Sequence, residues 1–128
     1  MKSKRIFVGA IVLLLVVAAL VYANYDKVKV VAFMQEARAL VGKTQTALKN
    51  SDFPAAEAAF TRYAEGAAAM KEFAPLKGTK ADWDKVLDGF AASAKKGAAA
   101  SAAKDAAKAD EALKELLAFS REGHSKFR

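Results

Sequence analysis

From Val28 to the C-terminus, apolar side chains recur at steps of three and four residues, the period of an α-helix with one face turned inward. Three interruptions divide this pattern into four predicted helices. The first runs from about Val28 to Asn50 and carries Val30, Phe33, Met34, Ala37, Leu40, Val41 and Leu48 on a wide face. Asn50-Ser51-Asp52 ends it. Ser51 or Asp52 can cap the second helix, with Pro54 in its first turn. That helix runs from about Phe53 to Phe73, with Phe60, Tyr63, Ala67, Met70 and Ala74 in step. Pro75-Leu76-Lys77-Gly78 breaks the pattern, and Thr79 is placed as the N-cap of a third helix starting near Lys80, with Asp82 complementing its dipole. Its stripe is Trp83, Leu87, Phe90, Ala94 and Ala98. The fourth helix carries Ala109, Leu113, Leu116, Leu117, Ser120, His124 and Phe127 to the end of the chain. Twelve of the 22 residues from Ala91 to Ala112 are Ala, so only Gly97, Ser101 and Asp105 punctuate that stretch. The turn is expected between Ala100 and Asp105. Helices of this length joined by short turns make antiparallel neighbours, so the fold class is all-α, an up-down-up-down four-helix bundle over residues 28–128.

The pattern before Val28 is different. Lys2, Lys4 and Arg5 precede an uncharged apolar run of 18 residues, Ile6 to Ala23. As a helix that run is about 27 Å long, close to the hydrocarbon thickness of a bilayer. Residues 1–27 are therefore read as a membrane anchor through residues 6–23, or as a cleavable signal peptide with Val21 and Ala23 before the cleavage point. Either reading puts the basic end in the cytoplasm and the bundle outside it: periplasmic or extracytoplasmic, tethered to the inner membrane or released.

Composition narrows the chemistry. The chain has 128 residues, no Cys, one His and a net charge of +7. Without Cys there is no disulfide framework, thiolate metal site or thiol nucleophile. One His cannot supply a His-based zinc triad. The few glycines form no phosphate-cradling loop. Acids and bases are evenly mixed beyond Ala23, which argues against nucleic acid as a partner. Carboxylates fall at surface-like positions, so no inward pair is available for acid–base work, and the chain is not read as an enzyme.

The ending Ser120-Arg121-Glu122-Gly123-His124-Ser125-Lys126-Phe127-Arg128 holds the candidate chemistry. His124 is in step with Leu113, Leu117 and Ser120, which predicts an inward imidazole in need of a partner. This stretch resembles the four-helix-bundle cytochromes, cytochrome c prime and cytochrome b562. In c-type members the last helix carries Cys-x-x-Cys-His and then a basic, aromatic tail. Here Ser120-x-x-Gly123-His124 is followed by Lys126-Phe127-Arg128, with both Cys positions empty. The b-type members hold haem through a Met in the first helix and a His in the last, with a tail His-x-Lys-Tyr-Arg. Met34 stands near the start of the first helix, and the stretch Pro75 to Phe90 also resembles the family.

The resemblance implies haem b held without covalent bonds, with Met34 and His124 as axial ligands to the iron. Met34 lies about 9 Å from the start of its helix and His124 about 6 Å from the end of its own, so an antiparallel arrangement brings the two ends together. A Met–His pair would make a six-coordinate electron-transfer centre of relatively high potential. Leu40, Val41, Phe90, Leu117 and Phe127 are the expected apolar lining, and Arg121, Lys126 and Arg128 the expected partners of the propionates. Redox proteins and a second copy of the chain are the expected protein partners. The alternative is a haem-less bundle of the same descent, with no cofactor, acting as an interaction or structural module at the membrane surface. In that case Phe and Leu side chains fill the cavity and His124 is a remnant.

Overall fold

The computed structural model describes residues 26–127, which form a four-helix bundle with no strand among them. The helices are α1 (Lys27–Lys49), α2 (Phe53–Met70), α3 (Lys80–Ala102) and α4 (Ala106–Phe127). The anchor or signal expected at residues 1–25 lies outside the described residues, and no described helix is long and apolar enough to cross a membrane.

Each helix starts on a side-chain cap that satisfies an otherwise unpaired N–H. Asp26 accepts from the amide of Lys29 at 3.1 Å, Asp52 from Ala55 at 3.3 Å, Thr79 from Asp82 at 3.1 Å and Asp105 from Lys108 at 3.1 Å. Two of the turns are copies of one device. After α1, the Asp52 amide donates to the Ala47 carbonyl and the Ser51 amide to Leu48; after α3, Asp105 donates to Ala100 and Lys104 to Ser101. These paired bonds are Schellman motifs, with Ser51 (φ 55°) and Lys104 (φ 58°) in the left-handed conformation that closes them. In both, the aspartate that ends the motif caps the next helix, so three residues reverse the chain. The turn expected somewhere in 100–105 is thereby fixed at 103–105.

The second helix is shorter than its apolar pattern suggests. It ends at Met70 rather than near Phe73, because Lys71, Glu72 and Phe73 tighten into bonds reaching back three residues, to Ala68, Ala69 and Met70. Pro75 follows and disfavours helical geometry at the residue before it. From α3, Lys80 Nζ donates to the carbonyls of Lys71 and Phe73, and Trp83 Nε1 donates to the Met70 carbonyl at 3.0 Å. The frayed end of α2 is thus satisfied by its neighbour.

Three seams of the bundle are closed by a phenyl ring seated over a glycine. A Cβ on Gly66 of α2 would stand 2.8 Å from the Phe33 ring of α1. On Gly97 of α3 it would stand 2.3 Å from the Phe60 ring of α2, and on Gly89 of α3 2.4 Å from the Phe119 ring of α4. Real Cβ–carbon contacts are not that short, so these helices approach as they do because the side chains are missing. The core follows: Phe60, Tyr63, Ala67 and Met70 of α2, Trp83, Leu87, Phe90 and Ala94 of α3, and Leu113 and Leu116 of α4 are buried. Helix α3 packs broadly on both α2 and α4, α1 packs on α2, and α1 meets α4 at only a few points.

The sockets carry a prediction. Phe60 is fully buried and has nowhere to retreat. Gly97→Ala is expected to destabilise the bundle by about 1–3 kcal/mol through overpacking. Gly42, exposed in α1 with nothing near its Cβ direction, is the control. There Ala is expected to stabilise by up to about 1 kcal/mol, from helix propensity alone. Chemical denaturation of the two variants beside the parent checks both signs.

Candidate functional site

The seam without a glycine socket, between α1 and α4, opens into a cleft of about 550 Å³. Its floor is α3, with Trp83, Val86, Leu87 and Phe90, and Tyr63 of α2 reaches in from behind. Aromatic rings pack edge-on within it. Phe90 meets Tyr63 at 5.4 Å and Phe33 at 6.1 Å between centroids, and Phe127 meets Trp83 at 5.1 Å. Phe127 also lies over Gly78, whose φ of 89° is a glycine conformation; a Cβ there would come within 2.9 Å of the ring. The C-terminus of α4 is thus seated on the loop before α3.

One wall of the cleft, α1, is held by α2. Arg62 grips Glu36 with two guanidinium nitrogens, Nε to Oε1 and Nη2 to Oε2, the latter at 3.1 Å. The buried Tyr63 hydroxyl donates to the carbonyl of Ala37. Burial pushes the Tyr63 phenol far above its ordinary range, so it stays a neutral donor. Lys29 Nζ stands 5.5 Å over the Phe73 ring and ties the start of α1 to the loop after α2.

Six residues expected at the site line this one cleft: Met34 and Val41 from α1, Phe90 from α3, and Leu117, His124 and Phe127 from α4. Two corrections concern orientation. Met34 is 39% exposed and His124 is also exposed, so neither points into a closed interior as the helical spacing suggests. Spacing fixes the face of a helix but not what lies opposite. The faces carrying Met34 and His124 meet across the open seam, and both side chains stand at its rim. Among the described residues His124 makes no hydrogen bond or ion pair.

Other expected residues lie elsewhere. Leu40 is buried and borders a second, flatter depression of about 670 Å³ between α1 and α2 at the opposite end. Ala, Gly, Lys and Thr line most of that depression, with no ring, sulfur or imidazole. Arg121 and Lys126 are exposed and do not line the cleft. Lys126 instead pairs with Glu122 at 3.0 Å, one turn back on α4. Arg128 lies outside the described residues. Besides His124, the polar side chains that reach the cleft from α1 and α4 are Gln35, Arg38 and Ser120, of which Gln35 and Arg38 were not anticipated. A signal for Arg38 was present, because it follows Met34 by four residues and so shares its face.

The cleft is apolar within and polar at its rim. Its volume falls within the range of small-molecule sites, its interior is aromatic and aliphatic, and its rim carries a thioether, an imidazole and a guanidinium. No group of three or more His, Cys, Asp or Glu that could hold a bare metal ion occurs among the described residues. Met34 and His124 are the rim side chains whose chemistry fits a metal carried by its own organic macrocycle. No protein-family model, curated protein or solved structure matches the chain.

The α1 wall has an acid dependence of known sign. Hydrogen bonding from Arg62 holds the Glu36 carboxyl below its ordinary value of 4.5. A depressed carboxylate contributes stability that is present above the unfolded-state value and lost as pH falls through the folded-state value. The parent is therefore expected to lose more stability than Glu36→Gln between about pH 5 and pH 3, and to track it above that window. Thermal melts of both proteins across the pH series check this.

Proposed function

We propose that the chain is a membrane-anchored, exported bundle that binds haem b non-covalently and carries single electrons. The observation that supports it is the placement of Met34 and His124, from two different helices, on the rim of one aromatic cleft. Haem bound there would supply a one-electron couple. The protein's part is to hold and shield it. The Met34 sulfur and an imidazole nitrogen of His124 would hold the haem iron. Phe90, Leu117, Val41 and Phe127 would exclude water from the macrocycle. Arg38 would meet a carboxylate at the rim, a role the sequence had suggested for Arg121, Lys126 and Arg128. Residues 6–23 would hold the bundle on the outer face of the inner membrane, beside redox protein partners. The assignment is electron carriage, with no substrate chemistry.

A haem-less module is the second reading, and one observation favours it. Phe90 already packs edge-on against Phe33 and Tyr63, and Phe127 against Trp83, so part of the cleft is filled by the chain itself. Haemin titration of residues 24–128 separates the two. The haem reading expects saturable one-to-one uptake with a low-spin, six-coordinate spectrum. Met34→Ala and His124→Ala are each expected to abolish the six-coordinate form and to weaken binding at least tenfold, about 1.4 kcal/mol. No uptake by a helical, cooperatively folded protein, or equal uptake by the double variant, would leave the haem-less module.

A further inference from the structure

We propose that the end of the bundle formed by the first turn of α1 and the loop 71–79 rests on the lipid bilayer, with Val28 and Leu76 inserted in its interfacial layer. The inference rests on the membrane anchor of the preceding section, not on haem.

Val28 and Leu76 are the most exposed large apolar side chains among the described residues, at 78% and 77%. They come from separate parts of the chain, yet the fold puts them at one end. Lys29, next to Val28, lies over Phe73 of the loop, and Gly78 of the same loop lies under Phe127 of α4. Two isolated exposed apolar residues need no explanation. Two at the end where an apolar run enters do.

The length of the connection decides their surroundings. The apolar run stops at Ala23, and Asp26 is fixed as the N-cap of α1, 3.1 Å from the Lys29 amide. Only Asn24 and Tyr25 lie between, so even a fully extended chain spans about 10 Å from Ala23 to Asp26. The polar layer of one leaflet is about 5–8 Å thick. If residues 6–23 cross the hydrocarbon, the first turn of α1 cannot clear the headgroups by more than a few ångströms. Val28, exposed on that turn, is then within reach of the interfacial layer, and the exposed Leu76 stands at the same end. Lys27 precedes Val28 and can extend its ammonium group to a headgroup phosphate while its stem lies against the apolar layer.

The chain has no Cys, so one introduced thiol is a unique label. The full chain would be reconstituted in phosphatidylcholine nanodiscs as Val28→Cys, Leu76→Cys or Ala103→Cys, each carrying a nitroxide. Ala103, exposed in the turn at the opposite end, is the aqueous control. Spin relaxation by oxygen and by a water-soluble nickel chelate reads depth. The expected result is an oxygen-to-nickel accessibility ratio several-fold higher at positions 28 and 76 than at 103. Equal ratios at all three sites in disc-bound protein would overturn the contact while leaving the anchor intact. Low access to both reagents at position 76 would mean a protein partner covers it, and would also overturn the proposal. Chain that elutes free of the discs would remove the anchor, and the proposal with it.

Discussion

The close approach of a phenyl ring to a bare backbone at Gly66, Gly97 and Gly89 is the constraint on which the bundle depends. Each contact sits between consecutive helices, and together they lock α1 to α2, α2 to α3 and α3 to α4. Dense packing makes such contacts all-or-none, because a ring that meets a Cβ at little over 2 Å must move the helix behind it. A four-helix bundle has four seams, and here the fourth, between α4 and α1, has no such socket. Gly123, the glycine of α4 nearest that seam, has only Val86 and its own neighbour Phe127 within 4 Å. The cleft is a direct result of where the glycines stand.

Locking by rings leaves α1 with a different kind of support. Its contact with α2 is finished by polar bonds, the Glu36–Arg62 pair and the Tyr63 hydroxyl on the Ala37 carbonyl. The first is exposed and therefore screened by salt. The second is buried, where loss of the phenol proton is disfavoured. Packed on α2 less extensively than the other consecutive pairs and barely touching α4, α1 is the helix with least to lose on local opening.

The sequence pattern carried most of this fold but only part of the site. The stripes of α2 and α3 were legible because every residue in them down to Phe90 and Met70 meets another helix. Caps at Asp52 and Thr79 were legible because they act within one turn. The end of α2 was misjudged by three residues, since apolar periodicity continues through Phe73 after the hydrogen bonding has changed. His124 was read as inward because its period matches Leu113 and Leu117. Period gives direction around one helix, whereas burial needs a second helix at the right distance. The placement of α4 on α3 involves Phe119 on Gly89, a pairing between residues thirty positions apart with no trace in either local pattern. The absence of Arg121 and the presence of Arg38 at the rim follow from the same open seam.

Side-chain size divides the bundle lengthwise. Toward the 50–52 and 103–105 turns, α3 presents Ser93, Ala94, Gly97, Ala100 and Ser101, all buried, and the helices close on one another over small residues. Toward the other end it presents Trp83, Leu87 and Phe90, also buried. Rings cannot fill a gap as evenly as methyl groups, because edge-on pairs leave space beside their faces. A bundle packed throughout like its far half would have no room at the α1–α4 seam. One packed throughout like its near half would lack the tight turns that hold α1 and α4 in register. The bundle therefore divides its work: small residues at the far end let α3 approach its neighbours, and at the near end Met34 and His124 stand on the rim of an aromatic opening.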